Sequence, residues 1–211
     1  MTTLGEHPTV KRFREQPHAG DSSVSPALDS QWLRLLCLDA GADDVGFVEV
    51  GRPELADQHA EILSLFPATK ALISVVLKMN RENIRTPARS IANVEFHQTT
   101  DEINDLGRRI VAALETAGVR AMNGGAAGFP MEADRWGAKM WTVSHKPVAV
   151  AAGLGHMGIH RNVIHPKFGN FVLLGTVLMD AEVGEYSRPI DYKTWLRFLR
   201  KEANLVWALA T

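Results

Sequence analysis

Gly153-Leu154-Gly155-His156-Met157-Gly158, followed by His160, His165-Pro166 and Phe168-Gly169, opens onto the apolar run Phe171 to Met179. Within 17 residues this stretch holds four glycines, three histidines and a proline. Glycine loses more backbone entropy on folding than any other residue, so such density marks tight turning or close backbone approach. Gly153-x-Gly155-x-x-Gly158 has the letters of a dinucleotide fingerprint. That fingerprint needs a strand before it and a helix after it. Here a helix-like segment precedes and a strand follows, so the Rossmann reading fails on context. Two readings remain: a ligand-cradling loop, whose backbone N–H groups meet an acidic or amide-bearing ligand, and a tight connection between packed elements.

Working outward, Asn170 to Asp180 reads as a strand. Lys146 to Ala152 reads as one or two helical turns leading into the glycine segment. Upstream, Lys70 to Met79 is nearly all apolar and β-branched, a strand covered on both faces. Asp44 to Val50 and Val119 to Met122 are further strands. Asp29 or Ser30 caps a helix over Gln31 to Ala40, predicted to turn Trp32, Leu35, Leu36 and Leu38 inward. Pro53 to Leu65 forms a helix with proline in its first turn. Asn80 to Ser90 reads as a basic loop. A long helix from about Ser90 to Ala117 follows, with Ile103, Leu106, Ile110, Val111 and Leu114 on one face. Helices and strands alternate, which predicts an α+β (α/β) sandwich. Its central sheet has about four or five strands, and parallel and antiparallel pairing stay open. Residues 1–28 read as a mobile N-terminal arm, 29–186 as the folded domain and 187–211 as a basic amphipathic helix.

Of the 211 residues, 45% are hydrophobic and 22% charged, and the net charge is −1. That balance suits one globular domain and gives no single-sign surface for nucleic acid or membrane. The only cysteine is Cys37. A disulfide framework is excluded, a reducing cytoplasm is the expected setting, and a lone cysteine cannot ligate a four-iron cluster. No apolar run reaches membrane-spanning length, and residues 1–28 lack the apolar centre of a secretory leader.

Several groups carry candidate chemistry. His145, His156, His160 and His165 fall within 21 residues. His156 and His160 have the i, i+4 spacing of helical metal ligands, but Gly158 lies between them and no glutamate sits inside the pair, so no metal site is assigned. Lining a polar pocket is the alternative. Lys78, Arg81, Arg85 and Arg89 form a basic group that suits solvent or phosphates. Ser144-His145-Lys146 lacks the glycine frame of a nucleophile elbow. His97, in the long helix, would suit proton donation if it lies in a pocket. The candidate catalytic residues are His97 and His145. The candidate cofactor-binding residues are Gly153, Leu154, Gly155, His156, Gly158, His160, Pro166, Phe168 and Gly169.

Over about residues 30–185 the chain resembles the cobalamin-dependent epoxyqueuosine reductase family, with reductive dehalogenases as more distant relatives. Ala152-Gly153-Leu154-Gly155-His156-Met157-Gly158, then Pro166-Lys167-Phe168-Gly169, then Phe171-Val172-Leu173-Leu174-Gly175 carry the resemblance. Phe66-Pro67-Ala68-Thr69-Lys70-Ala71, Ala42-Asp43-Asp44-Val45-Gly46 and Phe96-His97 add to it. The resemblance implies a nitroreductase-like fold, a cobalamin cofactor along the glycine segment, an oxidoreductase activity and tRNA among the partners. It also implies His97 as a proton donor or substrate contact. FMN is the alternative cofactor, and a non-catalytic cobalamin carrier the alternative role. Family members continue into a module with eight cluster cysteines. Here Trp195, Phe198, Lys201 and Leu205 stand at cluster spacing, so an external ferredoxin or flavodoxin is expected to supply electrons. A shortened product or a paralogue without the electron-delivery module is expected. Where the family carries Val-Asp-x-x-Pro-Val, this chain has Val143-Ser144-His145-Lys146-Pro147-Val148, with Ser144 in place of the acid.

Overall fold

Seven consecutive buried residues, Ala71 to Leu77, form the spine of the fold. They belong to β2 (Ala71–Lys78), which pairs on one side with β1 (Asp44–Glu49) and on the other with the last strand, Val172–Met179. The computed structural model describes residues 27–125 and 143–197. In chain order the remaining elements are α1 (Ser30–Asp39), a 3-10 turn (Pro53–Leu55), α2 (Ala56–Leu65), α3 (Arg81–Arg85), α4 (Arg89–Thr116), β3 (Ala121–Asn123), α5 (His145–Ala151), β4 (His156–Met157) and β5 (Val163–Ile164), with Val172–Met179 as β6. The sheet order is β1-β2-β6-β3 and every pairing is antiparallel. The fold is the expected α+β sandwich, with four strands and the pairing direction settled.

Side chains alternate across the pleat, so the sheet builds two cores. Val45, Phe47, Ile73, Val75, Val177 and Met179 pack against α1 and α4 through Leu33, Cys37, Ile103, Leu106 and Ile110. On the other face Val48, Leu72, Val76 and Leu178 meet Leu55, Ile62, Val148, Ala149 and Leu154. Covering on both faces explains why β2 reads as an unbroken apolar run although its neighbours are antiparallel.

Four expectations are corrected. In α1 the inward stripe is Leu33 and Cys37, with Leu36 and Leu38 partly buried, while Trp32 and Leu35 are 40% and 52% exposed. The helix is apolar on both sides, and its rotation is fixed by anchors that apolarity does not encode. Asp29 accepts the Trp32 N–H at 2.6 Å, and Arg34 reaches the Val45 carbonyl at 2.6 Å. The stretch read as a basic loop contains α3, because Asn80 caps it through the N–H groups of Glu82 and Asn83. Glu95 of α4 then holds that cap, accepting from the Asn80 backbone and the Asn83 amide. The glycine stretch contains a hairpin, β4–β5, with His156 opposite Ile164 and Met157 opposite Val163. Finally, β6 begins at Val172 rather than Asn170.

Residues 1–26 of the expected arm lie outside the described residues. Leu28 forms a parallel bridge with Val183. Residues 192–197 are helical, and Leu199, Leu205 and Val206 of the expected tail helix lie outside the described residues. Among the described residues no helix is long and apolar enough to cross a membrane.

Candidate functional site

The glycine segment begins as the cap of α5. The Gly153 N–H bonds the Val150 carbonyl and the Leu154 N–H bonds the Ala149 carbonyl, the two bonds of a Schellman motif. Gly153 takes the left-handed φ of +71° that this motif requires. Leu154 drops into the core on the α5 side of the sheet, at 4% exposure. A Cβ on Gly153 would collide with the Arg188 carbonyl, and one on Gly155 with the Ile164 carbonyl. Both glycines therefore admit the chain's own backbone.

His156 opens the hairpin. Its Nε2–H donates to the Ile190 carbonyl at 2.6 Å, and its ring lies 5.0 Å from Trp195 and 6.0 Å from Tyr192. Trp195, 7% exposed, donates its indole N–H to the Ile164 carbonyl at 3.2 Å. At the hairpin turn Gly158 bonds Asn162, and the Lys146 ammonium holds the Arg161 carbonyl at 2.8 Å and Asn162 Oδ1 at 3.0 Å. His160 is exposed and accepts the Asn162 N–H. Met157 and Ile159 also face outward.

After the hairpin the chain folds back on itself, with His165 and Gly169 exchanging both backbone bonds. Gly169 has φ +67°. The His165 ring is buried. Its Nδ1 accepts the N–H groups of Lys167 and Phe168, which leaves Nε2–H to donate to Asp44 Oδ2 at 3.2 Å. Arg34 holds the other carboxylate oxygen at 2.8 Å. Burial pushes the Asp44 carboxyl up, but the bonds from His165, Arg34 and the Val45 N–H together outweigh it and bring it to about 2. Phe168 stacks on His165 at 4.7 Å, and the ammonium groups of Lys78 and Lys167 lie over its ring. Pro166 is half-buried in the same turn.

The two histidines nominated for catalysis are not brought together. His97 is exposed on α4, edge-on to Phe96 at 5.7 Å. His145 is buried on the opposite side of the sheet, at the start of α5. Its Nε2–H donates to the Gly125 carbonyl at 2.8 Å, and its Nδ1 pairs with the Thr176 hydroxyl at 2.9 Å. A carbonyl only accepts, so Nε2 carries the proton and Thr176 donates to Nδ1. Burial lowers the His145 pKa, and the Gly125 bond opposes this only in part. His145 thus stands neutral with both nitrogens engaged. Beside it, the Gln58 amide clamps the Ser144 backbone from both ends. Burial also raises the Cys37 thiol to about 12, against a smaller opposing effect of Arg34, so it is unreactive.

Sequence reasoning missed Arg34, Thr176, Gln58, Tyr192 and Arg52. The Arg52 guanidinium joins the Ala151 carbonyl, at the end of α5, to the Ser187 carbonyl. Only Asp43-Asp44, two acids at a strand start, offered a signal for the His165 partner.

No protein-family model and no curated protein sequence matches the chain. Solved structures do. An epoxyqueuosine reductase from Bacillus subtilis superposes with a TM-score of 0.55 at 16% identity, over 76% of this chain and 47% of that one. A catabolic reductive dehalogenase superposes at 0.57 with 16% identity, over 76% of this chain and 22% of the other. A reductive dehalogenase described as catalysing B12-dependent dehalogenation superposes at 0.60 with 16% identity, over 83% of this chain and 24% of its own. The fold is shared with epoxyqueuosine reductases and reductive dehalogenases.

The chain spans about half the length of the epoxyqueuosine reductases and about a quarter of the dehalogenases. One of these neighbours is described as B12-dependent, and the glycine segment is where the fit of a corrinoid can be tested. A corrinoid needs an open backbone face. The open sides of Gly153 and Gly155 are instead filled by the carbonyls of Arg188 and Ile164. Two shallow hollows of about 410 and 350 Å³ lie at Phe66, Arg120 and Met122 and at Ser30, Arg34 and Tyr186, and the glycine segment lines neither. The glycine segment, filled by the chain's own backbone at both Gly153 and Gly155, does not fit a corrinoid.

Proposed function

We propose that this chain is a corrinoid-binding, reductase-like domain. The observation that carries the reading is the superposition of 83% of the chain on a B12-dependent dehalogenase. The sequence motifs Gly153 to Gly158, Pro166 to Gly169 and Phe171 to Gly175, which resemble those of the family, support it. When bound, a corrinoid supplies reducing chemistry at its cobalt, and the protein supplies binding and orientation. In this reading the hairpin end from Met157 to His160 and the Pro166 to Gly169 turn meet the cofactor. Cys37 is buried and alone, so electrons come from outside these residues, from a ferredoxin or flavodoxin.

A second reading, a cobalamin carrier without turnover, is favoured by one feature. His145 has both nitrogens engaged and His97 lies in the opposite layer. Neither therefore stands ready as a proton donor beside the glycine segment.

The test is an absorption titration of the purified chain with cobalamin. Binding is expected to shift the corrin bands to the base-off form. Reduction of the bound cobalt by a ferredoxin or flavodoxin system then separates reductase from carrier. FMN binding without any corrinoid binding would show the cofactor assignment to be wrong.

A further inference from the structure

The two edges of the sheet are finished differently. In an antiparallel pair, residues alternate between facing the neighbouring strand and facing away from it. On β1 the outward residues are Val45, Phe47 and Glu49, and five of their six backbone groups are occupied. Asp44 Oδ1 takes the Val45 N–H, Arg34 the Val45 carbonyl, Ser187 both groups of Phe47, and the Arg52 N–H the Glu49 carbonyl. An edge plugged in this way is closed to further strands. On β3 the Arg120 carbonyl and the Gly124 N–H bond the β6 side, which turns Ala121 and Asn123 outward. The backbone N–H and carbonyl groups of these two residues have no partner among the described residues. The edge is nevertheless held in place. The Asn123 side chain donates to the Asn104 carbonyl and accepts the Gly125 N–H, each at 3.1 Å.

Beside this edge lies the shallow hollow of about 410 Å³. Phe66 and Met122 line it from the α5 side of the sheet, and Glu115 and Val119 from the α4 side. The hollow therefore sits between the layers, where a fifth strand would continue the sheet. Arg120 is engaged there. Its Nε–H donates to Asp180 at 2.6 Å, and its guanidinium lies 5.8 Å from the centre of the Phe66 ring. Glu115 is exposed and has no ion-pair partner among the described residues.

We propose that the β3 edge is a docking slot for an extended segment of a partner protein, one that carries an apolar side chain for Phe66 and Met122 and a basic side chain for Glu115. In such strand addition the main-chain bonds supply affinity, and the pockets for alternate side chains supply selectivity. Ala121 and Asn123 offer two donors and two acceptors to the incoming backbone. Successive side chains of the segment point to opposite faces, so one set meets the apolar wall and the other the Glu115 wall. A second copy pairing edge to edge would set two shallow hollows against each other and fill neither. Nothing in this docking depends on a corrinoid.

Amide hydrogen exchange on the full chain, read residue by residue, tests the slot. In the chain alone, Ala121 and Asn123 are expected to exchange about tenfold faster than Met122 and Gly124, which face β6. The probe is a short capped peptide of alternating valine and lysine. At about ten times its dissociation constant it is expected to slow the Ala121 and Asn123 amides about tenfold. The same peptide with glutamate in place of lysine is expected to bind about fivefold more weakly, and Glu115→Gln to remove most of that difference. Ala121→Pro, which deletes an outward N–H at an edge where proline is tolerated, is expected to abolish binding. Glu115→Gln, at an exposed position, serves if that variant does not fold. Slow exchange at Ala121 and Asn123 in the chain alone would overturn the proposal, because the chain itself would then fill the slot. Protection that appears on raising the protein concentration without peptide would overturn it in favour of a second copy. Amides that the peptide leaves unchanged, or lysine and glutamate peptides bound equally well, would overturn it too.

Discussion

His165 and Asp44, separated by 121 positions in the chain, are joined by a hydrogen bond of 3.2 Å from Nε2–H to Oδ2. Because Nδ1 is occupied by the N–H groups of Lys167 and Phe168, the ring cannot turn over without losing those bonds. The Pro166 to Gly169 turn is thereby tied to the start of β1 and, through Arg34, to α1. Phe168, stacked on His165, takes its position from this tie.

Asp44→Asn is expected to destabilise the fold by about 2 kcal/mol at neutral pH, from the depressed carboxyl pKa. The sign follows from the direction of the shift. The folded carboxyl sits at about 2 against an ordinary 3.8. Its contribution is therefore complete above pH 4 and disappears as the pH falls toward 2. Urea unfolding at pH 7 and pH 2.5 checks this: the gap between the two proteins should close at the lower pH. A gap that persists there would mean that packing, not charge, holds Asp44.

His145 gives a second pH signature. Burial lowers its pKa, so below about pH 6.5 the unfolded chain takes up a proton that the folded chain refuses. Stability then falls as pH falls, by at most about 1.4 kcal/mol per pH unit for one group. His145→Leu is expected to be less stable at pH 7.5 by about 2 kcal/mol, because Thr176 and Gly125 lose partners. It is also expected to show a shallower loss between pH 7.5 and 5.5. Equal slopes in the two proteins would show that His145 is not the group taking up the proton.

Gly155 and Gly169 separate close packing from backbone conformation. Gly169 has φ +67° with no heavy atom within 4 Å of a built Cβ. Gly169→Ala is expected to cost about 1 to 2 kcal/mol, the left-handed penalty alone. At Gly155, φ is +156° and a Cβ would meet the Ile164 carbonyl and Val163 Cγ1 inside the hairpin. Gly155→Ala is expected to cost about 3 kcal/mol or more. Thermal melts of the two variants decide. A harmless Gly155→Ala that abolishes cobalamin binding would restore the open-cradle reading of this segment.

The sheet was legible because Ala71 to Leu77 and Leu173 to Met179 carry apolarity that only doubly covered strands need. The buried stripe of α4 was legible because Ile103, Leu106, Ile110 and Leu114 repeat at helical spacing. The rotation of α1 was not, since Leu35 and Leu33 are chemically alike and only Arg34 and Asp29 tell the faces apart. The β4–β5 hairpin was hidden by length: two-residue strands have no period, and their pairing rests on Arg161 at φ +61° and on Lys146 reaching across. The glycine segment was legible as a place of close approach. What approaches was not, because the Arg188 and Ile164 carbonyls come from later in the chain and carry no side-chain signal.

Ser74 provides the last test, at the centre of β2 between Gly46 on β1 and Thr176 on β6. Its hydroxyl is fully buried and has no hydrogen-bond partner among the described residues. Thr176 beside it donates to His145, and the Ala152 carbonyl lies over Gly46. A buried hydroxyl without a partner forfeits its bonds to water and gains nothing in return. Ser74→Ala removes that group and leaves almost the same volume. It is expected to stabilise the fold by about 1 kcal/mol, seen as a raised urea midpoint with unchanged slope. A loss of stability instead would show that the hydroxyl has a partner, such as a buried water shared with Thr176. In that case the Ser74, Thr176 and His145 groups form one continuous polar row beneath α5.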